Sequence, residues 1–450
     1  MVKSILFLGV GGIGMSSLAK YMLNKGYKVY GYDRNFSELI KKLENLGMNF
    51  VDAEKIMESS FISKIDLIVR TSAIKENADI LKESKRQNVP VIKRSKLLGQ
   101  ICSFGHQICL AGTHGKTTTT SMTSKIFETA NLKPTVFVGG EMIDLDDNFL
   151  KGNDNIFVVE ADEYDRSFHD LRPRIGGITN IEEDHLDIYK NLQDIKESFM
   201  EFASKIPFYG CLILPSDLSF IQEFKKNMLC KVETFGFSEK SNWTVKNIKK
   251  IGFSVKFDVK HNDEFYTTIE LPTIGEHNIL DALIAIAVSY NYGIDKKSIK
   301  TGLKNYQGVK RRLQKLGNKK NVLFLDDYAH HPSEISATLT ALKANVKQRI
   351  VTIFQPHLFS RTRDFYEEFA KKLSIADYII LTEIYPAREK PIENVNSKMI
   401  ADLIEKDVVV TKDKNELFDK INEIIQPNDI VISLGAGTIS KWMHEFYEKY

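Results

Sequence analysis

The sequence predicts an α/β protein of three domains, in which crossover helices join parallel strands. Short apolar, β-branched runs alternate with longer segments of helical period, and a chain of 450 residues exceeds one ordinary core. The predicted strands of the first two domains cover residues 5–8, 28–32, 67–69, 108–111, 157–160 and 176–179. Those of the third cover residues 322–325, 350–354, 378–381, 408–410 and 430–433.

Two breaks in this alternation set the predicted boundaries. A new strand begins just after residue 104, and a basic, glycine-punctuated stretch ends one series of elements near residue 312. The domains are therefore expected at 1–104, 105–312 and 313–450. Residues 232–271 alternate with a period of two and lack helical segments, so the middle domain is expected to carry a small antiparallel insertion.

Composition and charge exclude several classes of protein. Lys and Arg number 62 against 59 Asp and Glu, which leaves a net charge of +3 and no basic stripe for nucleic acid. The apolar runs fall short of the roughly 18 residues that a membrane span requires. The first residues enter a strand at once, without a cleavable leader, so a cytoplasmic location is expected. The 4 cysteines have no metal-ligand spacing and are expected as reduced thiols.

The first strand is followed by a glycine-rich turn. Gly9, Gly11, Gly12 and Gly14 are spaced for a tight strand-to-helix turn against a pyrophosphate, and Asp33 ends the next strand. Alone, this pattern is typical of a nicotinamide cofactor site. Packing of a helix on a sheet is the alternative explanation.

A second and more specific loop follows the strand at residues 108–111. Its residues are Gly112, Thr113, His114, Gly115, Lys116, Thr117 and Thr118. Backbone N–H groups between such glycines approach phosphate oxygens, the lysine reaches the terminal phosphates, and the first threonine hydroxyl can bind Mg²⁺. Only two residues separate the glycines, fewer than in the general rule. The pattern predicts ATP binding, with a turn that caps a helix as the alternative.

Polar residues follow two further strands of the middle domain. Glu160 ends one strand, where a carboxylate can bind Mg²⁺ directly or through water. The next acids, Asp162 and Glu163, are expected to form a solvated turn. His185 lies shortly after another strand and is predicted to support a second metal ion, with a structural role as the alternative.

Three later segments carry candidate ligand-binding side chains. Asn278 opens a predicted helix, where its amide can bind a base edge or cap the helix. Asp327 and His330 close a strand of the third domain. Arg361 follows the next strand, and its planar fork suits a carboxylate or a phosphate, although an exposed surface position is the alternative.

Together these motifs closely resemble the Mur ligase family over nearly the whole chain. The resemblance rests on residues 112–117, 160–163, 180–185, 275–278 and 327–332. It implies a Rossmann-like N-terminal domain for a UDP-sugar, a central ATP-binding domain with a P-loop and a C-terminal Rossmann-like domain. Within the family, residues 9–16, 308–312, 326–332 and 354–363 are similar to the branch that joins L-alanine to the lactyl carboxylate of UDP-N-acetylmuramate.

The resemblance also implies residue roles. Lys116 and a Mg²⁺ ion on Thr117 and Glu160 would stabilise the transferred phosphoryl group, and His185 would support a second Mg²⁺. His277 and Asn278 would contact adenine, Asp327 the ribose region, and His330 with Arg361 the substrate. The UDP-sugar would be bound by Gly11, Gly12, Gly14, Met15, Ser16 and Asp33. A monomer or weak homodimer is expected.

The sequence departs from the family pattern at two positions. Asp281 stands where a second asparagine is frequent, and Leu358 stands where many alanine-adding members have arginine. The alternatives are a ligase of the same family that recycles a preformed tripeptide, an NAD-dependent oxidoreductase, and a nucleotide sensor without catalysis.

Overall fold

The computed structural model describes residues 2–183, 188–387 and 389–450, which form three β-sheets in chain order. The first is a parallel sheet of order β3-β2-β1-β4-β5. Its strands are β1 Ser4–Leu8, β2 Lys28–Tyr32, β3 Asn49–Phe50, β4 Leu67–Arg70 and β5 Val91–Lys93. Its helices are α1 Ile13–Asn24, α2 Glu38–Asn45, α3 Ser59–Ile62, α4 Asp79–Arg86 and α5 Arg94–Cys102, with a 3₁₀ turn at Lys55–Met57.

Strand β1 shows why this sheet is parallel and covered on both faces. Ile5 and Phe7 belong to one hydrophobic cluster, whereas Leu6 and Leu8 belong to another. Successive side chains of a strand point to opposite faces, so both faces are buried under helices. This explains the continuous apolar run from which the strand was predicted.

The central sheet has ten strands in the order β15-β14-β13-β12-β11-β10-β6-β9-β7-β8. They are β6 His106–Ala111, β7 Thr135–Met142, β8 Asp147–Leu150, β9 Ile156–Glu160, β10 Ile175–Ile178, β11 Cys211–Pro215, β12 Lys231–Phe235, β13 Trp243–Ile251, β14 Ser254–His261 and β15 Glu264–Leu271. The accompanying helices are α6 Lys116–Thr129, α7 Leu192–Ser204, α8 Ile221–Asn227, α9 Glu276–Tyr292 and α10 Lys296–Lys304, with a 3₁₀ segment at Tyr164–Asp170.

The antiparallel insertion is present but begins later than predicted. Strand β12 pairs in parallel with β11 and therefore belongs to the main sheet. Connections of two residues join β13 to β14 and β14 to β15. Such short links permit only antiparallel neighbours. A second antiparallel pair, β7 with β8, forms the other edge of the sheet and was not predicted.

The third sheet has the order β16-β17-β21-β18-β19-β20. Its strands are β16 Gln314–Lys319, β17 Val322–Asp327, β18 Ile350–Phe354, β19 Tyr378–Thr382, β20 Val408–Thr411 and β21 Ile430–Leu434. Its helices are α11 Pro332–Asn345, α12 Phe359–Leu373, α13 Lys398–Ala401, α14 Lys414–Ile424 and α15 Ile439–Lys449. Strand β16 runs antiparallel to β17 within the basic stretch that was not expected to form a strand.

By internal packing, the chain forms two compact units. The first comprises Met1–Asn247, Phe257–Ile269 and Leu280–Tyr306, and the second Ile248–Lys256, Glu270–Ile279 and Gln307–Tyr450. All four cysteines are buried free thiols, as predicted. Among the described residues, no helix combines the length and apolar character needed to cross a membrane.

Candidate active site

The loop between β6 and α6 has the backbone of a phosphate-binding loop. Gly112 has a φ of 134° and Gly115 a φ of 81°, a region that L side chains rarely adopt. A Cβ on Gly112 would lie 1.9 Å from Thr179 Oγ1, and one on Gly115 would lie 2.5 Å from Asp281 Oδ1. Both positions therefore require glycine, and the loop brings its backbone to the N-terminus of the 14-residue helix α6.

The segment after β10 fixes this loop. Asn180 accepts from His114 N through its Oδ1 at 2.9 Å, and its carbonyl accepts from Thr113 N at 3.2 Å. The Thr113 hydroxyl in turn accepts from the backbone N–H of Glu182 at 3.0 Å. Thr113 and His114, both predicted to bind the nucleotide, thus have their backbones held by a neighbouring strand end. Thr118 is buried in the first turn of α6.

Lys116 lies across the loop and contacts an acid. Its Nζ donates to Gly112 O at 2.6 Å and Thr113 O at 3.0 Å, and it lies 2.9 Å from Oε1 and Oε2 of Glu163. Burial disfavours the charged ammonium. The carboxylates of Glu163 and Asp162 outweigh that effect and raise the pKa of Lys116, so the lysine is a cation at neutral pH.

The burial of Glu163 corrects the expectation of a solvated acidic turn. The residue is only 2% exposed, and its carbonyl accepts a 2.6 Å hydrogen bond from the Tyr189 hydroxyl. Asp162, by contrast, pairs with Arg94 at 3.1 Å with 37% of its side chain exposed. The position of Glu163 three residues after the strand end at Glu160 was the available sequence signal, and its lysine partner lies 47 residues away.

Thr117 and Glu160 come together as predicted from their positions at a helix start and a strand end. Thr117 Oγ1 lies 3.0 Å from Glu160 Oε1, and Glu160 Oε2 accepts from Gly139 N at 2.6 Å. Paired hydroxyl and carboxylate oxygens are the donors that Mg²⁺ prefers. His185 lies outside the described residues. Within the described part of the chain, no three or more His, Cys, Asp or Glu side chains are grouped to hold a metal.

Asp281 contacts the phosphate loop, which the sequence did not predict. Its carboxylate accepts from Thr119 Oγ1 at 3.0 Å and lies against Gly115. Helix α9 therefore places an acid against helix α6. In the sequence, Asp281 stands out only as a departure from the family pattern.

The N-terminal glycine turn contacts the end of β2. The N–H of Gly11 donates to Asp33 Oδ2 at 2.9 Å, and a Cβ on Gly11 would lie 2.9 Å from the same atom. A Cβ on Gly14 would lie 2.9 Å from Arg94 Nη1, while Gly12 donates its N–H to Gly9 O at 3.2 Å. The side chains of Met15 and Ser16 are buried, and their backbone N–H groups donate to Gly12 O at 3.0 and 2.9 Å.

The β7–β8 hairpin of the central sheet packs on this turn. Asn148 donates to Ile13 O at 2.5 Å and to Ser16 Oγ at 3.1 Å. Lys20 is 2% exposed and donates to Asn148 Oδ1 at 2.8 Å, and it also forms an ion pair with Asp147. Such long-range pairing of residues on α1 and β8 leaves no periodic signal in the sequence.

In the second unit, the two acids that end β17 have opposite pKa shifts. Asp327 accepts from the N–H groups of Leu313 at 2.7 Å and Ala329 at 2.8 Å, and its burial raises its pKa to about 6. Asp326 is also buried. Hydrogen bonds from His444, Ser433 and Ser440 nevertheless outweigh that burial and lower its pKa.

The predicted substrate residues of the second unit lie near one another. His330 Nδ1 is 2.9 Å from Tyr328 O and 3.3 Å from Glu334 Oε2. Burial lowers the pKa of His330, and the nearby charge of Arg361 lowers it further. Arg361 is partly buried rather than a free surface residue. Leu358 opens helix α12 with a φ of 73°, an unusual value for a residue with a branched side chain.

His277 and Asn278 also belong to the second unit and begin helix α9. Asn278 Nδ2 donates to Ile274 O at 2.7 Å and lies 3.1 Å from His277 Nε2. The side-chain NH₂ group of Asn278 thus stabilises the turn that precedes the helix. His277 is partly buried, and the resulting loss of solvation lowers its pKa to about 4 and keeps the ring neutral at pH 7.

Comparisons with known proteins find relatives that match the chain over nearly its whole length. Models of the "Mur ligase family, catalytic domain", the "Mur ligase middle domain" and the "Mur ligase, glutamate ligase domain" match residues 4–106, 110–289 and 311–437. The UDP-N-acetylmuramate-L-alanine ligase of Geotalea uraniireducens is 39% identical, covering 97% of this chain and 96% of that protein. The enzyme of the same name from Clostridium kluyveri is 40% identical with the same coverages.

Solved structures of ligases with related names are also similar to this chain. The UDP-N-acetylmuramate-alanine ligase of Thermotoga maritima has a TM-score of 0.85 at 28% identity, over 99% of both chains. A murein peptide ligase of Psychrobacter arcticus has a TM-score of 0.71 at 25% identity, over 99% of this chain and 98% of that one. The three-domain α/β architecture agrees with these relatives. The chain belongs to the Mur ligase family.

Proposed function

We propose that this protein joins L-alanine to the lactyl carboxylate of UDP-N-acetylmuramate with consumption of ATP, in peptidoglycan precursor synthesis. The observation that carries the proposal is identity of 39–40% to alanine-adding ligases over 97% of the chain. The tripeptide-recycling alternative has less support, because the murein peptide ligase is the more distant of the two structures. An oxidoreductase would leave the loop at Lys116 without a role.

The chemistry requires activation of an acid. A carboxylate does not react with an amine at neutral pH, because its oxygen is a poor leaving group. Phosphoryl transfer from ATP gives an acyl phosphate, and attack by the free amine of alanine then forms the amide and releases phosphate. The protein must hold two anions together during the first step, so cations and N–H donors at the phosphates are the groups that matter.

The phosphate loop supplies those groups in this proposal. The N–H groups of Gly115 to Thr118, at the start of α6, bind the phosphates, and Lys116 stabilises charge on the transferred phosphoryl group. Thr117 and Glu160 would hold Mg²⁺, with His185 supporting a second ion. A bound Mg²⁺ would neutralise phosphate charge and orient the phosphates. Thr117 and Glu160 fit such an ion because their oxygens lie 3.0 Å apart.

The remaining sites follow the family roles. His277 and Asn278 would contact adenine, and Asp327 the ribose. His330 and Arg361 would bind the substrate. The turn of Gly11, Gly12 and Gly14, with Met15 and Ser16 after it, would bind the UDP pyrophosphate, and Asp33 orders that turn through Gly11 N.

We further propose domain boundaries near residues 104 and 312 and a cytoplasmic location, where ATP and nucleotide sugars are available. A monomer or weak homodimer stays a prediction.

A product screen tests the proposed function. The full chain is incubated with ATP, Mg²⁺, UDP-N-acetylmuramate, a mixture of amino acids and the tripeptide, and the products are identified by mass spectrometry. We expect the alanine adduct, with phosphate release that requires all three substrates. A tripeptide adduct without the alanine adduct would assign the chain to the recycling reaction instead.

A further inference from the structure

The ammonium group of Lys116 has as many protein acceptors as it has donors. Its three N–H groups meet Gly112 O at 2.6 Å, Thr113 O at 3.0 Å and the carboxylate of Glu163 at 2.9 Å. A phosphate oxygen can therefore accept a hydrogen bond from Nζ only if one of these three acceptors gives up its own hydrogen bond. The identity of that acceptor decides what nucleotide binding must displace.

The two carbonyl acceptors belong to a loop that is held in place. Asn180 and Thr179 bond the backbone of the same loop, so its carbonyls have little freedom to move. Glu163 differs because its carboxylate has the same charge as a phosphate. Two anions at one ammonium repel each other, which makes the carboxylate the acceptor that a polyphosphate would displace.

The surroundings of Glu163 hold its backbone in place and set its carboxylate against Lys116. The Tyr189 hydroxyl holds the Glu163 carbonyl at 2.6 Å, and Tyr189 is itself 1% exposed. Both carboxylate oxygens lie 2.9 Å from Nζ, and Oε1 accepts the hydrogen bond. A charge-assisted hydrogen bond of this kind competes with a ligand for the same N–H group.

We propose that Glu163 is a latch on Lys116, a positioning residue that holds the lysine across its own loop until a nucleotide polyphosphate displaces the carboxylate. The inference rests on the proposed role of Lys116 in nucleotide binding. Part of the nucleotide binding energy is then spent in breaking the Lys116–Glu163 pair. The latch lowers affinity for nucleotides and leaves affinity for the sugar substrate unchanged.

The test is the dissociation constant of ADP for the full chain, measured by isothermal titration calorimetry. Glu163→Gln keeps the side-chain shape and removes the competing charge. We expect ADP to bind about three- to tenfold more tightly, since one hydrogen bond from Nζ that no longer has to be displaced is worth about that much in affinity. The dissociation constant for UDP-N-acetylmuramate should stay the same, which a general loss of structure would not allow.

The chain offers a matched control at Glu233. This residue is also 2% exposed and pairs with Lys231 at 2.6 Å, but it lies on β12 and additionally accepts from Trp243 Nε1 at 2.7 Å. Glu233→Gln therefore removes a buried acid from a lysine pair outside the phosphate loop. We expect it to lower the unfolding midpoint without changing the ADP constant.

A second variant loosens the latch without changing any charge. Tyr189→Phe removes the hydroxyl that holds the Glu163 carbonyl, and we expect ADP to bind more tightly, by less than in Glu163→Gln. If wild type binds ADP and Glu163→Gln binds it equally or more weakly, the latch is wrong. Should Glu163→Gln not fold, an unchanged ADP constant in Tyr189→Phe overturns the proposal. A wild type that does not bind ADP contradicts the proposed function itself, and the latch with it.

Discussion

Asn148 donates its side-chain amide to Ser16 Oγ, 3.1 Å away, and so ties the β7–β8 hairpin of the central sheet to the helix after the N-terminal glycine turn. The other strand of the hairpin carries Gly139, whose N–H donates to Glu160 Oε2 at 2.6 Å. One hairpin therefore contacts both the proposed UDP-sugar turn and the proposed metal-binding carboxylate. Its contacts make the orientation of α1 depend on the central sheet.

Replacement of Asn148 by alanine is expected to weaken binding of the sugar substrate selectively. The change removes the hydrogen bonds that Asn148 makes with Ile13 O and with Lys20 Nζ. Their loss should lower the free energy of unfolding by about 1–3 kcal/mol. We expect the KM for UDP-N-acetylmuramate to rise about tenfold, because α1 is no longer held at its turn, while the KM for ATP changes little. Asn155→Ala, at an exposed position, is the control. Equal increases in both KM values would refute a selective role.

Removal of the Lys116 ammonium is expected to abolish ligation. Lys116→Ala should lower kcat by at least about 10²–10³-fold, the cost of losing one preorganised group at a developing charge. Product formation is measured by mass spectrometry, and the circular dichroism spectrum checks the fold. Substantial ligation by a folded Lys116→Ala protein would remove the lysine from the mechanism.

The Thr117 hydroxyl is expected to set the requirement for Mg²⁺. Thr117→Val keeps the shape of the side chain but removes the oxygen that lies 3.0 Å from Glu160 Oε1. We expect half-maximal activity to need about tenfold more Mg²⁺, and Thr117→Ser to restore the wild-type value. A Mg²⁺ titration of the three proteins at saturating substrates gives the answer. Identical titration curves would place the metal elsewhere.

His277 is expected to make stability depend on pH. Its pKa in the folded chain is lowered to about 4 from an ordinary 6.5, chiefly by burial and then by the charge of Arg312. Between these values the unfolded chain binds a proton that the folded chain does not. The free energy of unfolding should therefore fall as the pH decreases from 6.5 to 4, by about 3 kcal/mol from this group.

Urea denaturation of wild type and His277→Asn at pH 7 and pH 5 isolates this contribution. The buried Asp327, whose pKa is raised to about 6, acts in the opposite direction but is present in both proteins. Wild type should lose more stability than His277→Asn on going from pH 7 to pH 5. An equal loss in the two proteins would mean that the ring is protonated as easily when folded as when unfolded.

Strand ends were predictable from sequence, and side-chain partners across the fold were not. Thr117 and Glu160 were predicted to lie together, because the carboxyl ends of parallel strands meet at one edge of a sheet. Strands β2 and β18 have the predicted bounds.

The burial of Glu163 was missed, because it depends on Lys116 and Tyr189, which lie 47 and 26 residues away in sequence. Strand β16 was missed for a related reason. Its residues are lysine- and glycine-rich, and it forms only by pairing with the edge of β17.

The central claim is that ATP activates the sugar's carboxylate as an acyl phosphate. UDP-N-acetylmuramate labelled with heavy oxygen in its lactyl carboxylate is converted with ATP and L-alanine, and the released phosphate is analysed by mass spectrometry. The account predicts that one labelled oxygen is transferred to the phosphate for each amide formed. Unlabelled phosphate alongside a normal yield of the alanine adduct would contradict it.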